Sequence, residues 1–322
     1  MLTLGIDTSN YATSLAVFDT AAGEVVCDSK QFLPVRPGQL GLRQSDALFH
    51  HTAALPGLLA ALAEKADLGA VAAVGVSARP RPLEGSYMPC FLAGVSAAAA
   101  FCAAKGLPLC KTTHQQGHIA AALYAVGQRA GRPAPLTDPA LVFHVSGGTT
   151  DLLLCEGVEK ITCLGTSSDL YAGQAVDRLG VRLGFAFPAG AEVSRLAAEC
   201  GEPVRPKVHV QGMTCSLSGL ENQCDALLRA GKTPAYAARY CLLCVAETLC
   251  RMARAALAEH PGLPVVFAGG VMSSEVIRDY VTVHLPGARF VPGRFASDNA
   301  IGVAVLAAKE VGSWPNTSTS PR

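Results

Sequence analysis

The chain has 322 residues, of which 50% are hydrophobic and 16% are charged, and its formal net charge at pH 7 is +1. This composition is typical of a compact α/β enzyme and excludes an intrinsically disordered protein. The near-neutral charge lacks the basic excess of most nucleic-acid-binding proteins, so an RNA substrate would have to be attracted by a local patch or by a partner.

The amino terminus reads as the start of a cytoplasmic protein. Met1 to Asp7 has no basic segment followed by an apolar stretch and a small-residue cleavage site, so we expect no secretion signal. The longest apolar run, Phe91–Ala104, is too short to span a bilayer. We therefore expect no membrane association.

The first predicted element is a β-hairpin. Its strands are Leu2–Ile6 and Ser14–Phe18, and its turn, Asp7–Thr13, is rich in hydroxyl groups. The same pattern recurs later, with the turn Ser146–Thr150 between strands at Ala140–Val145 and Asp151–Cys155. Two such hairpins predict two similar lobes.

Helices and strands alternate in the rest of the chain. The predicted helical segments are Asp46–Lys65, Gly94–Ala104, most of Thr166–Cys200, and Ala235–Glu259, and the further strands are Val71–Ser77, Leu107–Lys111 and Pro264–Ala268. This alternation favours βα units. The predicted fold class is α/β, with two lobes that each contain a mixed, mostly parallel sheet flanked by helices.

The predicted lobe boundaries follow from composition. The N-terminal lobe covers residues 1–128, and the C-terminal lobe covers residues 138–311 with a helical insertion at about 165–260. The Gly-, Arg- and Pro-containing stretch Arg129–Pro139 is the candidate connector. Residues 312–322 are predicted to be a flexible tail.

The cysteines are predicted to be structural. Twelve of them are scattered from Cys27 to Cys250 without paired metal spacing, which favours reduced, buried thiols. The CxxC at Cys241 and Cys244 lies in an apolar helical pattern. A redox or metal role there is the less favoured alternative.

Three turns are candidate phosphate sites. The turns Asp7–Thr13 and Ser146–Thr150 present backbone N–H groups and hydroxyls at strand ends, where a converging set of donors binds phosphate oxygens. The third, Gly269–Ser274, joins a strand to a helix whose N-terminus favours anions. One such turn alone is usually only a turn, so the set of three predicts the nucleotide site.

A pair of histidines is the sharpest local feature. Thr113 and Gln116 form a capping-box pattern that starts a helix near His114. His114 and His118 then lie four residues apart on one helical face, a spacing that can aim two imidazoles at one ion. The alternative is a helix start with solvated or hydrogen-bonded rings, and a metal site requires a third ligand.

The order of the motifs resembles the family of tRNA threonylcarbamoyl-adenosine transferases, TsaD and its archaeal and eukaryotic counterparts, in the actin/Hsp70/sugar-kinase superfamily. The resemblance runs from Leu2 to about Lys309. The residues that carry it are Gly5–Ser9, His114–His118, Val145–Thr150, Ala172–Asp177, Ser216–Leu220, Ala268–Val271 and Ser297–Asn299.

The resemblance implies a metal site and a nucleotide site between the lobes. The metal, Fe(II) or Zn(II), would be held by His114, His118 and Asp298; without the resemblance, Asp298 reads as a helix cap. The nucleotide would be threonylcarbamoyl-AMP or ATP/ADP, and Asp177 could accept hydrogen bonds from ribose hydroxyls or be a solvated helix carboxylate. The implied nucleotide- and substrate-binding residues are Ser9, Ser146, Gly147, Gly148, Thr149, Asp169, Gly173, Asp177, Gly269, Gly270 and Ser274.

The implied activity is the metal-dependent transfer of a threonylcarbamoyl group from threonylcarbamoyl-adenylate to an adenosine of tRNA, or a closely related carbamoyl transfer. Departures from the family pattern keep an alternative open: Tyr11 and Ala12 stand where an acidic pair is usual, and the usual polar residues are also replaced at Thr149, Leu170, Gln174 and Ser274. The alternative is a divergent nucleotide-binding paralogue. It would act on a non-tRNA acceptor, or as a scaffold or regulatory partner that pairs with a paralogous protein or with itself. A metalloprotease is disfavoured because HxxxH lacks the glutamate base of HExxH.

Overall fold

The chain forms two compact units. The structure, a computed structural model, describes residues 1–9, 11–34, 42–129, 139–296 and 300–312. Unit 1 contains the described residues before position 130 together with those from position 300 onward, and unit 2 contains residues 139–296. The predicted connector at Arg129–Pro139 and the predicted tail fall largely outside the described residues.

Unit 1 is a mixed sheet flanked by helices. Its strand order is β3-β2-β1-β4-β5, in which β2 is antiparallel to both neighbours and β4 is parallel to both. The strands are β1 (Leu2–Ser9), β2 (Ala12–Asp19), β3 (Glu24–Phe32), β4 (Val71–Arg79) and β5 (Leu109–Thr113). The helices are α1 (Gln44–Ala63), α2 (Phe91–Lys105), α3 (His114–Arg129) and α10 (Ile301–Glu310).

Unit 2 repeats this plan and adds helices. Its main strands are β6 (Pro139–Val145), β7 (Thr150–Glu156), β8 (Lys160–Thr166), β11 (Val265–Ala268) and β12 (Arg289–Phe290), and a separate ribbon pairs β9 (His209–Gln211) with β10 (Thr214–Ser216). The helices are α4 (Ala172–Arg182), α5 (Gly190–Ala198), α6 (Ser218–Arg229), α7 (Pro234–Glu259), α8 (Glu275–His284) and α9 (Gly293–Ala296).

The two sheets have equivalent strand orders, which confirms the predicted duplication. In unit 2 the order is β12-β11-β6-β7-β8, with a hairpin pair on one side and parallel strands on the other. Both sheets are mixed, as predicted. Within the described strands the parallel pairings make up half of each sheet and not most of it, because each amino-terminal hairpin continues into a third antiparallel strand.

The first hairpin is tighter than its sequence predicts. The strands pair from Leu2 opposite Asp19 to Ser9 opposite Ala12, so most of the predicted turn belongs to the strands. The buried hydroxyl of Thr8 has a partner outside the hairpin, since Thr8 Oγ1 donates to the carbonyl of Cys90 at 3.1 Å. The hydroxyl-rich pattern therefore marks buried strand ends and not an open loop.

The carboxy-terminal helix α10 packs within unit 1. A Cβ on Gly5 would lie 2.3 Å from the carbonyl oxygen of Ala300, and one on Gly75 would lie 2.4 Å from that of Val303. Thr3 Oγ1 also donates to the carbonyl of Ala304 at 2.8 Å. This placement corrects the predicted inclusion of residues up to 311 in the C-terminal lobe, because sequence spacing does not reveal that β1 and β4 lack side chains where α10 approaches.

The core of unit 2 is built around α7 and the stacked rings of its sheet. Phe143 and Phe267 stack with their centroids 4.8 Å apart. Cys241 and Cys244 lie inside α7 and are buried free thiols, as predicted.

No helix in the described part of the chain is long and apolar enough to cross a membrane.

Candidate functional site

The second hairpin turn is closed by its own polar groups. The amide of Ser146 donates to the carbonyl of Thr149 at 2.9 Å, and the two hydroxyls of these residues are 2.9 Å apart. The amide of Gly148 donates to Ser146 Oγ at 3.2 Å. Gly147 and Gly148 are exposed, and a Cβ added to either would meet no atom within 4 Å. The turn thus presents an open backbone surface.

Helix α4 begins directly against this turn. The amide of Gly173 donates to the carbonyl of Ser146 at 3.2 Å, and the amide of Ala172 donates to Thr150 Oγ1 at 2.8 Å. A Cβ on Gly173 would lie 2.7 Å from both the nitrogen and the Cα of Gly147. Only glycine allows this approach. A helix N-terminus beside an exposed glycine turn is an arrangement that favours anions.

The Gly269–Gly270 turn lies at the end of the neighbouring strand. Gly269 has φ 102°, a conformation that L side chains rarely adopt, and its Cβ would lie 2.2 Å from the carbonyl oxygen of Val145. Because β11 and β6 are parallel, both turns emerge at the same edge of the sheet. The structure therefore brings two of the three predicted phosphate turns together in unit 2.

A cavity of about 720 Å³ opens beside these turns. Its volume is in the range of small-molecule sites. Among the residues predicted to bind nucleotide or substrate, those that line it are Ser146, Gly147, Gly173, Asp177, Gly270 and Ser274. Gly148, Thr149, Asp169 and Gly269 are not among the lining residues.

The rest of the cavity wall combines an apolar surface with a polar rim. The apolar part includes Val176, Ala191, Leu242, Val271 and Val276, and the polar part includes Ser194, Arg195, Ser273 and Glu275. Val176, Val271 and Ser273 lie in the predicted motifs, but sequence reasoning missed the others, because they lie on α5, α7 and α8 and reach the cavity only through tertiary packing. Their helical periodicity gave no signal beyond an amphipathic helix.

Two of these polar groups form a hydroxyl pair. Ser194 Oγ and Ser274 Oγ are 2.8 Å apart, and either can be the donor. Ser274 is buried and follows the Gly269–Gly270 turn. A hydroxyl can both donate and accept a hydrogen bond, so this pair can bind either a donor or an acceptor of a ligand.

Asp177 is half-buried, and its carboxylate already accepts a hydrogen bond from the protein backbone. Its Oδ1 accepts the amide of Ala189 at 2.8 Å, next to the start of α5. Burial raises the pKa of the Asp177 carboxyl, and the amides of Ala189 and Gly190 oppose that change. The predicted contact with ribose hydroxyls stays a prediction, since this carboxylate also caps a helix.

Asp169 organises a loop of unit 2. It accepts hydrogen bonds from the hydroxyls of Ser216 and Ser218, both at 2.6 Å, and from the amides of Leu170, Leu217 and Ser218. Burial raises its pKa, but these donors together hold the pKa well below its usual range. The described contacts of Asp169 are those of a residue that positions the Ser216–Leu220 motif.

The paired histidines lie at the start of α3, as predicted. The amide of Thr113 donates to Gln116 Oε1 at 3.0 Å, and the amide of Gln116 donates to Thr113 Oγ1 at 3.2 Å, so the capping box is complete. Nε2 of His114 and Nε2 of His118 are 3.0 Å apart. The helix start therefore brings the two imidazoles within hydrogen-bonding distance of each other.

This spacing fits a shared metal ion. Two nitrogens bound to one ion at about 2.0–2.1 Å lie roughly 2.9–3.4 Å apart for octahedral to tetrahedral angles. Within the described segments, no group of three or more His, Cys, Asp or Glu residues could hold a metal. The predicted third ligand, Asp298, falls outside those segments.

Asp7 adjoins the histidine pair and was missed by sequence reasoning. Its Oδ2 lies 3.2 Å from Nδ1 of His114 and accepts the hydroxyl of Ser9 at 2.7 Å. Both Asp7 and Ser9 are buried. Ser9, predicted to contact nucleotide, is thus a strand residue whose hydroxyl is directed to a carboxylate.

The chain is similar to known proteins over most of its length. A family described as TsaD: tRNA N6-adenosine threonylcarbamoyltransferase matches residues 17–305. The tRNA N6-adenosine threonylcarbamoyltransferase of Streptococcus suis (strain 05ZYH33) is 28% identical over 330 residues, covering 96% of this chain and 92% of the relative. The protein of the same name from Streptococcus pneumoniae (strain Hungary19A-6) is 29% identical over 231 residues, covering 68% and 66%.

Solved structures share the fold at low sequence identity. Full-length HypF in the phosphate- and nucleotide-bound form matches 98% of this chain and 56% of its own, with TM-score 0.62 and 12% identity. The activator of 2-hydroxyisocaproyl-CoA dehydratase from Clostridium difficile with bound ADPNP matches 99% and 100%, with TM-score 0.56 and 12% identity. A ROK family glucokinase from Streptomyces griseus in complex with glucose and AMPPNP matches 96% and 100%, with TM-score 0.50 and 17% identity.

These likenesses confirm the predicted fold class, that of actin-like ATPases and sugar kinases. The family match extends over most of the chain and includes the histidine pair and the phosphate turns of unit 2. The chain belongs to the TsaD family of tRNA N6-adenosine threonylcarbamoyltransferases.

Proposed function

We propose that this protein transfers a threonylcarbamoyl group from threonylcarbamoyl-adenylate to an adenosine of tRNA in the cytoplasm, using a bound divalent metal ion. The observation that carries the proposal is the gathering of Ser146, Gly147, Gly173, Asp177, Gly270 and Ser274 around one cavity. Membership in the TsaD family and the converging histidines support it.

The cavity of unit 2 has the chemistry of an adenine-nucleotide site. The exposed glycine turn lets a phosphate approach the backbone closely, and the dipole at the start of α4 favours its negative charge. The apolar wall, which includes Val176 and Leu242, suits a purine ring, and the pair of Ser194 and Ser274 supplies hydroxyls. We infer that Asp177 orients a ribose from the rim of this cavity.

The metal would be held by His114 and His118, with Asp298 as the third ligand. Two imidazoles and one carboxylate suit Fe(II) or Zn(II) and leave coordination positions open. When bound, such an ion polarises a carbonyl or phosphoryl oxygen. The chain's own contribution is to hold the two rings together at the rigid start of α3.

One observation favours a different acceptor. At the β1–β2 connection, Ala12 is fully buried and Tyr11 is 38% exposed, where the family pattern has two acidic residues. The nearby carboxylate of Asp7 faces His114 and Ser9, so it does not replace them. The second candidate is therefore a paralogue that uses a non-tRNA acceptor, or that acts as a nucleotide-binding scaffold with a paralogous partner or a second copy of itself.

The test of the activity uses the purified full-length protein. It is incubated with threonylcarbamoyl-adenylate and unmodified tRNA, with and without the partner proteins of an active relative, and the tRNA nucleosides are measured by mass spectrometry. The proposal requires threonylcarbamoyl-adenosine to form. Binding of the adenylate without any modified adenosine, even with active partners present, would favour the second candidate.

Metal analysis tests the histidine pair separately. The metal content of the native protein is compared with that of a His114→Ala variant and of a His209→Ala variant. His209 is an exposed histidine on β9, so its loss should leave the bound metal unchanged. Equal metal content in all three proteins would remove His114 from the site.

A further inference from the structure

The carboxylate of Asp7 is fully buried at the end of β1. Burying a carboxylate is costly unless it is paired or hydrogen-bonded. Asp7 Oδ2 has both kinds of partner, with His114 Nδ1 at 3.2 Å and the Ser9 hydroxyl at 2.7 Å. The fold therefore keeps this charge in place beside one histidine ring.

Asp7 contacts the ring nitrogen of His114 that does not face His118. Nδ1 of His114 meets Asp7, whereas Nε2 of His114 lies 3.0 Å from Nε2 of His118. Because the two ring nitrogens point in different directions, Asp7 cannot share an ion with Nε2. Asp7 is an outer partner of the histidine and not a ligand.

The contact also selects a tautomer. An ionised carboxylate only accepts hydrogen bonds, so the proton of the neutral imidazole must be on Nδ1. Nε2 of His114 then keeps its lone pair, and a lone pair is what a metal ion requires of a histidine ligand. The same contact opposes rotation of the imidazole ring about its Cβ–Cγ bond.

The sheet makes this arrangement rigid. β1 is parallel to β4, and β4 is parallel to β5, so the carboxyl ends of these strands lie at one edge. β1 ends with Asp7 near that edge, and β5 ends at Thr113, directly before His114. Strand pairing, and not a loop, therefore sets the distance between the carboxylate and the ring.

We propose that Asp7, supported by Ser9, is a positioning residue that holds His114 in the Nδ1-protonated tautomer with Nε2 presented to a divalent metal ion. This inference rests on the proposed function, since it assumes that the histidine pair binds a metal. It assigns a role to a residue outside the predicted ligand set.

The first test reads the tautomer without any metal. Long-range ¹H–¹⁵N correlation spectra of the metal-free protein should show a proton on Nδ1 of His114, identified by the loss of its signals in His114→Ala. In Asp7→Asn the side-chain amide can instead donate to Nδ1, so the Nε2-protonated tautomer should appear. A wild-type His114 that carries its proton on Nε2 would overturn the proposal.

The second test measures binding of Co(II) and Zn(II) alone, by competition with a chelator. Loss of an outer partner typically lowers metal affinity about 10–100-fold, so we expect a fall of this size in Asp7→Asn and a smaller fall in Ser9→Ala. The matched control is Asp151→Asn, which changes a buried carboxylate of unit 2 that accepts the hydroxyl of Thr166 at 2.7 Å. Its metal affinity should equal that of the wild type.

The outcomes separate this inference from the proposed function. Unchanged metal affinity in folded Asp7→Asn, or no Co(II) or Zn(II) binding by the wild type, would overturn the role of Asp7. Tight binding that depends on Asp7 in a protein that forms no modified adenosine would support the role and count only against the proposed transfer. Circular dichroism establishes that each variant is folded, and the Ser9→Ala variant provides a milder change if Asp7→Asn does not fold.

Discussion

Gly173 lies so close to Gly147 that a Cβ on Gly173 would be only 2.7 Å from the Cα of Gly147. The contact joins the start of α4 to the glycine turn of the second hairpin. It also places both residues on the wall of the same cavity. The turn and the helix therefore have to move apart if Gly173 gains a side chain.

We accordingly expect Gly173→Ala to lower the affinity for adenine nucleotides at least about 10-fold, since the displaced turn would no longer present its backbone to phosphate. The helix itself should persist, because alanine is a better helix former than glycine. Isothermal titration calorimetry with ADP and with threonylcarbamoyl-adenylate measures the effect. Gly190→Ala is the matched control, since Gly190 lines the cavity but a Cβ there meets nothing within 4 Å.

Replacing Asp169 should weaken unit 2 in a pH-dependent way. In Asp169→Asn the donors from Ser216, Ser218 and the adjoining amides lose a charged acceptor, which we expect to cost about 1–3 kcal/mol of unfolding free energy at pH 7. Since the folded pKa of Asp169 is lowered, its contribution is present above the unfolded pKa of 3.8 and is lost as the pH falls below it. Urea unfolding measures the difference in unfolding free energy between wild type and variant, which should be smaller at pH 3 than at pH 7. An equal difference at both pH values would contradict this.

His51 should make the protein less stable in mild acid. It is fully buried on α1, with Nδ1 2.8 Å from Thr13 Oγ1, and burial lowers its pKa to about 4. The unfolded chain then takes up a proton before the folded protein does, so stability present above pH 6.5 is lost as the pH falls towards 4. Between pH 7 and pH 5 the loss should be roughly 2 kcal/mol. His51→Gln should show a correspondingly smaller loss in urea titrations at the two pH values.

The CxxC of α7 should be unreactive in the folded protein. Hydrogen bonding with Cys224 and burial hold the pKa of the Cys241 thiol well above its usual value, and burial raises the pKa of Cys244 to about 11. A thiol of this kind is neither ionised at pH 7 nor accessible. Brief treatment with iodoacetamide at pH 7 should modify the exposed Cys163 and leave Cys241 and Cys244 unmodified, as read by peptide mass spectrometry. Rapid modification of Cys241 would contradict its assignment as a structural thiol.

Several elements were predictable because their signals are local. The capping box at Thr113 and Gln116 specifies where α3 starts, and that start determines the common face of His114 and His118. The two hairpins and α7 were also predicted, since alternation and helical periodicity need only neighbouring residues. β3 and β8 were missed, because their half-exposed strands lack a clean apolar pattern.

The candidate site was only partly predictable. Ser194 and Glu275 line the cavity but carry no motif. Asp7 lies in a quoted motif, yet nothing in its spacing indicates that its carboxylate meets a ring more than a hundred positions later. Ser9 lies in the same motif, and the described contacts of Ser9 and of Asp169 are with neighbouring protein groups.

The sequence by itself determined the kinds of groups available and their local geometry, namely two glycine turns, a capped helix with two histidines, and thiols buried within a helix. The tertiary structure decided which of these groups meet. Strand order brings Asp7 to His114, and the absence of a side chain at Gly173 lets α4 reach the turn. The reason is physical: hydrogen-bonded periodicity acts over a few residues, whereas contacts between distant residues depend on how the sheet pairs and on where close packing leaves room.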